Sequence, residues 1–322
     1  MTGQTLLITG GSGTLGTALT RYALNAGAAR VICLSRGEHQ QAALAATIAD
    51  PRLECWIGDV RDRDRLHWAC RVRPDVVIHA AALKRAEVCE REPDEARKTN
   101  IDGTRNVVKE AMLANVPQVL VISSDKAACA ELCYGATKRA AEVIALGQNR
   151  YRGAGATRIS VVRYGNVLGS AGSFLEPLLA ARQSGTPYTI TDPLNTRFWW
   201  SLDDAVRFVA RVLTQMLGDE IWVPKLVSAC VVDVAQAVAP GVPWTVAGMR
   251  GIEKRHETMI GPSEIASTWD LGWAYVVLPS ASSGPPAGAV RVPSDFRYTS
   301  DRDPLAVSFQ ALEAACLVPS AS

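Results

Sequence analysis

Residues 5–16 read TLLITGGSGTLG, a short apolar run that ends in Gly10, Gly13 and Gly16 and passes straight into a helical pattern. A strand that turns on glycine into a helix leaves the helix's first N–H groups unpaired and its positive dipole end open, which suits a pyrophosphate. The turn residues Gly10, Ser12, Gly13, Thr14, Leu15 and Gly16 are therefore candidate contacts to a dinucleotide. Glycine is common in any turn after a strand, so the loop needs support from elsewhere in the chain. That support stands at the ends of three later strand-like runs. Asp59-Val60 places a carboxylate where it can accept from an adenine amino group, Ala80, Ala81 and Ala82 let backbone approach a ligand, and Tyr134 and Lys138 follow the fifth run.

Outward from this loop, the first half alternates apolar strands with helical segments. The patterns predict strands at 5–9, 30–35, 53–57, 76–80, 118–123 and 158–164, and helices at 14–26, 38–49, 62–70, 93–114 and around Tyr134. Repeated β-α units predict an α/β fold with a doubly wound parallel sheet of Rossmann type, with ligands at the carboxyl ends of its strands. Beyond residue 165 the pattern is irregular, with helices predicted at 201–217 and near 231–238. We expect residues 1–165 to form a dinucleotide-binding domain and 166–322 mainly a smaller substrate lobe, with helix 201–217 packing back on the first domain. SASSGPPAG at 280–288 reads as a loop, and apolar periodicity resumes near 305–316.

The chain carries 34 Lys plus Arg against 32 Asp plus Glu, a net charge of +2, which gives no general pull toward nucleic acid or anionic membrane. Any phosphate site must be local. The apolar runs are too short to cross a bilayer, and no basic region precedes an apolar stretch at the N-terminus, so a soluble cytoplasmic protein is expected. Eight scattered cysteines read as reduced thiols. Cys129 and Cys133, the close pair, have neither a second pair nor a nearby histidine, so packing explains them and no metal is expected.

The chemistry is concentrated in residues 123–138, SSDKAACAELCYGATK. Tyr134 and Lys138 lie one helical turn apart and share a face, where an ammonium can lower a phenol's pKa toward that of a proton shuttle. Such a pair beside a dinucleotide site resembles the core of a short-chain dehydrogenase/reductase. Asp125 and Lys126, nine and eight residues ahead of the tyrosine, add a further acid and base. Alcohol oxidation does not need them, whereas loss of water from an oxidised sugar does. At the end of the second strand stand Ser35 and Arg36 in place of a carboxylate. A hydroxyl and a guanidinium suit the 2′-phosphate of NADP, and Arg36 also fits an ordinary surface arginine.

In order, TGGSGTLG, DVRD, HAAALK, KTNIDGTRNV, SSDKA, YGATK, RYGNVLGS, TRFW, EIWVPK and IEKRHE resemble the inverting, soluble UDP-N-acetylglucosamine 4,6-dehydratases of the extended short-chain dehydrogenase/reductase group. The resemblance implies NADP as cofactor, with Asn100 among its contacts, a UDP-sugar substrate held by Lys84, Ser124, Asn166, Arg197, Arg250 and Glu253, and a homo-oligomer. It further implies that Tyr134, as phenolate, takes the 4-hydroxyl proton as hydride leaves C4, that Lys126 is the base at C5, and that Asp125 protonates the departing 6-hydroxyl. Hydride then returns to C6, and C5 is reprotonated on the opposite face. Retaining relatives carry Asp-Glu where this chain has Asp125-Lys126. As a base, Lys126 needs its pKa drawn down by desolvation or by Lys138 and the cofactor; otherwise it simply neutralises Asp125 or binds phosphate.

The chain departs from the family pattern around the sugar at Ala86, Ala171, Cys129-Ala130 and Gly251-Ile252. Alternative readings are an epimerase, a dehydratase that releases a 5,6-alkene, and a non-catalytic NADP-binding regulator. His79, inside an apolar strand, reads as a core histidine, and Trp199 and Trp200 as packing residues or a platform for uracil.

Overall fold

Leu6, Leu7 and Ile8 are fully buried, as are Val31, Ile32, Cys33 and Leu34 and then Val76, Val77 and Ile78. Strands apolar on every residue belong to a sheet covered on both faces, and each such Leu or Ile contributes about 1.5–3 kcal/mol. The computed structural model shows that arrangement; it describes residues 1–151, 157–170, 174–249, 251, 253–279 and 284–302. The first half runs β1 (Thr5–Thr9), α1 (Thr14–Asn25), β2 (Arg30–Ser35), α2 (Glu38–Ile48), β3 (Leu53–Ile57), α3 (Arg63–Cys70), β4 (Val76–His79), α4 (Ala86–Arg91), α5 (Pro93–Ala96), α6 (Gly103–Leu113), β5 (Gln118–Ile122), α7 (Cys133–Gly147) and β6 (Arg158–Val162). The second half runs β7 (Asn166–Val167), α8 (Leu175–Ser184), β8 (Tyr188–Ile190), β9 (Thr196–Trp200), α9 (Leu202–Gln215), β10 (Ile221–Pro224), β11 (Val227–Cys230), α10 (Val231–Val238), β12 (Trp244–Val246), β13 (Thr258–Ile260), β14 (Thr268–Asp270), β15 (Ala274–Val277), β16 (Val290–Arg291) and β17 (Tyr298–Thr299).

The central sheet has the order β16-β14-β15-β10-β6-β5-β4-β1-β2-β3. It is parallel from β3 to β10 and antiparallel beyond. The order reverses between β1 and β4, and that switch point opens the crevice where α/β sheets bind ligands. Alternate side chains feed two cores. Leu6 and Ile8 pack with the α1 and α9 side, and Leu7 with the α3 and α6 side. A third apolar cluster, including Leu178, Tyr188, Trp199 and Val234, holds α8, α10, β8 and β9 together as a lobe.

Two expectations are corrected here. The helix expected over 93–114 is interrupted by a π-helical turn at Arg97–Asp102. Within it lies Asn100, whose amide donates to Leu83 O and Thr137 Oγ1, both at 3.0 Å, and accepts from Leu83 N at 2.8 Å. Widened turns of this kind are frequent at functional sites. The second half is also less of a separate lobe than the boundary at 165 implied, because β10, β14, β15 and β16 complete the central sheet. The helices between β4, β5 and β6 cover one face only. The other face needs α9, whose Val206, Val209 and Val212 are buried against it and whose first turn is capped by Ser201. The apolar periodicity near 305–316 lies outside the described residues, as do Arg250 and Ala171.

Candidate active site

Gly10 has a left-handed φ of +71°, and a Cβ there would lie 2.8 Å from Ala81 N and 2.9 Å from Ala80 C. Only glycine lets the loop after β1 lie against the end of β4, which explains why the small residues Ala80–Ala82 stand opposite it. α1 then starts from Gly13 with no side-chain cap and no acidic residue in its first turn, so Thr14 and Leu15 open an anion-ready helix end. Ser12 Oγ lies 2.8 Å from Ser35 Oγ, which joins this loop to the end of β2. Beside them Arg36 is 56% exposed, 3.9 Å from Asp59. Asp59 itself is held by Arg61 at 2.7 Å. Val60 turns its side chain into the core under α6, and its carbonyl accepts from Asn106. Asn100 spends its amide on the protein, tying the loop after β4 to α7.

The second group forms where β5 ends. Ser124 Oγ donates to Asp125 Oδ1 at 2.8 Å and caps the short 3₁₀ turn Asp125–Ala127. Lys126 Nζ donates to Asp125 Oδ2 at 2.8 Å and to Asn166 Oδ1 at 3.1 Å, and it lies 3.1 Å from Glu257 Oε1. The backbone of Asp125 is fixed by a bond to Tyr164 O at 3.1 Å. α7 reaches this turn through Gly135, where a Cβ would lie 2.4 Å from Lys126 O. The glycine after Tyr134 therefore lets the helix bearing Tyr134 and Lys138 press against the turn bearing Asp125 and Lys126.

The electrostatics correct two expectations. Burial pushes the Tyr134 phenol well up, against a hydrogen bond from Ser124, and Asp125 pushes it further. Lys138 does not supply the expected counterweight: its ammonium donates to Ile122 O at 2.6 Å, and burial draws its pKa down to about 8. Lys126 is raised, because Asp125 and Glu257 together outweigh the desolvation that would lower it. Asp125 is also raised, by burial first and by Glu257, against the pull of Lys126. The pair thus holds its shared proton tightly.

Farther out, Asn166 begins β7 and meets Lys126, as described. Arg197 is turned inward, with Nη1 donating to Thr196 O at 2.7 Å and Arg255 O at 3.0 Å, so the fork expected to face a diphosphate is partly committed to the protein. Glu253 has a buried Oε2 without a hydrogen-bond partner, which fits a hydroxyl donor. Lys84 is exposed at the end of the loop after β4. Lys254 donates to Cys129 O and pairs with Glu131, pinning the loop ahead of Tyr134. His79 is buried with both ring nitrogens bonded, to Thr9 at 2.7 Å and Thr104 at 2.9 Å. Trp199 and Trp200 are buried too, against Phe174 and against Tyr164 with Phe208, which removes them as a uracil platform.

Glu257 and Tyr164 carried no functional assignment from sequence. Glu257 lies within the IEKRHE segment, and only the fold brings it to Lys126.

The family model described as polysaccharide biosynthesis protein matches residues 6–279. The chain is 37% identical, over 96% of both proteins, to a Campylobacter jejuni protein named UDP-N-acetylglucosamine 4,6-dehydratase (inverting). It is 34% identical to a Rickettsia massiliae UDP-glucose 4-epimerase, covering 83% of this chain and 81% of that one. Among solved structures, Pen from Bacillus thuringiensis superposes with a TM-score of 0.92 at 28% identity, covering 98% of this chain and 99% of that one.

Proposed function

This chain belongs to the polysaccharide biosynthesis protein family, as a nucleotide-sugar dehydratase of the extended short-chain dehydrogenase/reductase group, and on that premise we propose that it removes water from UDP-N-acetylglucosamine with inversion at C5, using NADP. The observation that carries this reading is the Asp125–Lys126 contact of 2.8 Å beside Tyr134. An acid and a base side by side are what elimination needs and what epimerisation at C4 alone does not.

The glycine turn seated on Ala80–Ala81 and the uncapped start of α1 fit a dinucleotide, and Ser35 with the exposed Arg36 fits a 2′-phosphate. Bound there, NADP supplies a hydride acceptor for C4 and a donor for C6. The protein's own steps concern protons. Tyr134 takes the 4-hydroxyl proton as the phenolate, a form that the positive charge of a bound nicotinamide would favour where Lys138, donating to Ile122 O, does not. With C4 as a ketone, the C5 proton is acidified. Proton transfer across the Asp125–Lys126 contact turns ammonium and carboxylate into amine and acid without net uptake. The amine of Lys126 takes the C5 proton and Asp125 gives its proton to the 6-oxygen, which leaves as water, so the ion pair is restored. After hydride return to C6, a solvent proton added to C5 on the opposite face, balanced by release of the 4-hydroxyl proton from Tyr134 to solvent, gives UDP-2-acetamido-2,6-dideoxy-L-hexos-4-ulose. Asn166 and Glu253 support the substrate, Glu253 by offering its orphaned oxygen to a ribose hydroxyl.

The test is incubation with UDP-N-acetylglucosamine and catalytic NADP in deuterated buffer, followed by mass and NMR of the fresh product. Loss of one water, one deuteron at C5 and L-configured couplings are expected. An isomer of unchanged mass would make it an epimerase. A D-configured product would refute inversion, and a 5,6-alkene with stoichiometric NADPH would refute hydride return.

A further inference from the structure

Lys126 is flanked by two carboxylates, and the second has no part in the scheme above. Glu257 Oε1 lies 3.1 Å from Lys126 Nζ and 3.6 Å from Arg197 Nε, and its side chain is 5% exposed. Its placement is built from both sides of its peptide: Glu257 N donates to Ser300 Oγ at 2.8 Å and Ser300 N donates to Glu257 O at 2.9 Å. Ser300 is bonded in turn to Thr196, the neighbour of Arg197. The result is an alternating row, Arg197, Glu257, Lys126, Asp125. Asp125 alone would neutralise Lys126, so a second buried carboxylate needs another reason, since burying it costs free energy.

We propose that Glu257 is a positioning residue that holds Lys126 as an ammonium against Asp125 and sets the pH above which the pair loses the proton that the elimination uses. This rests on the reading of Lys126 as the C5 base. Glu257 takes no proton itself: burial disfavours its charge, but Lys126 and Arg197 outweigh that and keep it ionised. The charged groups facing this row are Asp125, Arg197 and Lys254, with the Tyr134 and Tyr164 phenols beside Asp125 and His256 turned to Thr196. Within the row, the exchangeable proton passes between Lys126 and Asp125.

Lys126 is 29% exposed, so its protonation is readable by the pH dependence of acetic anhydride labelling, followed by mass spectrometry of the Lys126 peptide in the full-length protein. At a pH below the wild-type midpoint, Glu257→Gln should label Lys126 about tenfold faster or more, and Glu257→Asp, which keeps the charge but withdraws it, to an intermediate degree. Because the elimination needs the one proton that the pair shares, the descending limb of the kcat profile should move to lower pH with the labelling midpoint. NADP binding reports whether each variant folds, and if Glu257→Gln does not, Glu257→Asp decides alone. An unchanged labelling profile, or a fall in kcat without a pH shift, overturns the proposal. Labelling needs no substrate, so a shifted midpoint in a protein that does not dehydrate UDP-N-acetylglucosamine would refute the dehydratase reading and leave Glu257's hold on Lys126 standing.

Discussion

At Tyr134 burial and catalysis pull in opposite directions, because the same enclosure that excludes water drives the phenol's pKa up. Tyr134→Phe should therefore lower turnover by about 10²–10⁴-fold, the range of a lost general base, with no solvent exchange at C5. Lys126→Ala should suppress C5 exchange by a similar factor while single-turnover C4 oxidation persists; exchange at the wild-type rate would remove Lys126 as the base. Arg36→Glu would set a second carboxylate beside Asp59 and should weaken NADP by about tenfold or more relative to NAD. Equal losses for the two cofactors, measured by titration, would show that Arg36 does not discriminate between them. His79 contributes a pH-dependent part of the stability. Burial, then Lys138, lowers its pKa to about 3, so between there and the unfolded value of 6.5 the unfolded state binds more protons. Stability is then lost as pH falls through that window, by up to about 1.4 kcal/mol per pH unit from this group. Urea midpoints at pH 6.5 and 5 should differ less in His79→Gln than in the wild type.

The proposed catalytic unit at the scale of elements is the contact between α7 and the 3₁₀ turn after β5. Gly135 makes it possible, and a methyl group 2.4 Å from Lys126 O would force backbone apart. Gly135→Ala should cost about 1–3 kcal/mol in urea denaturation and lower kcat more than it raises KM, because it separates Tyr134 from Asp125 without touching either. The YGATK pattern made the Tyr–Lys face legible in the sequence, since helical spacing alone puts those residues together. The π-turn at Arg97–Asp102 was not legible. It accompanies three hydrogen bonds of Asn100 to Leu83 and Thr137, partners that no local pattern specifies.

The two halves of the whole molecule are latched through a buried ion cluster. Arg163, fully buried just after β6, bonds Glu142 of α7, Glu264 and Met259 O at 2.7–3.0 Å. Met259 and Glu264 belong to the segment that carries Glu257 to the site, so the same cluster places Lys126's second carboxylate. Arg163→Met should leave the two carboxylates to the single charge of Arg139, which pairs with both, and cost about 3–5 kcal/mol. Adding Glu142→Gln and Glu264→Gln should recover part of that loss in denaturant melts, and a larger loss in the triple variant would refute the latch.

The glycine turn and the alternation of apolar strands with helices determined the fold class by themselves, and the spacing of Asp125, Lys126, Tyr134 and Lys138 singled out the candidate catalytic set, because each is a local pattern whose geometry follows from chain periodicity. The contacts of Lys126 with Asp125 and Glu257, the inward turn of Arg197 and the completion of the sheet by β10, β14, β15 and β16 were decided only in the tertiary structure. Charges on distant segments act on one another only once folding brings them within a few ångströms and removes the water between them.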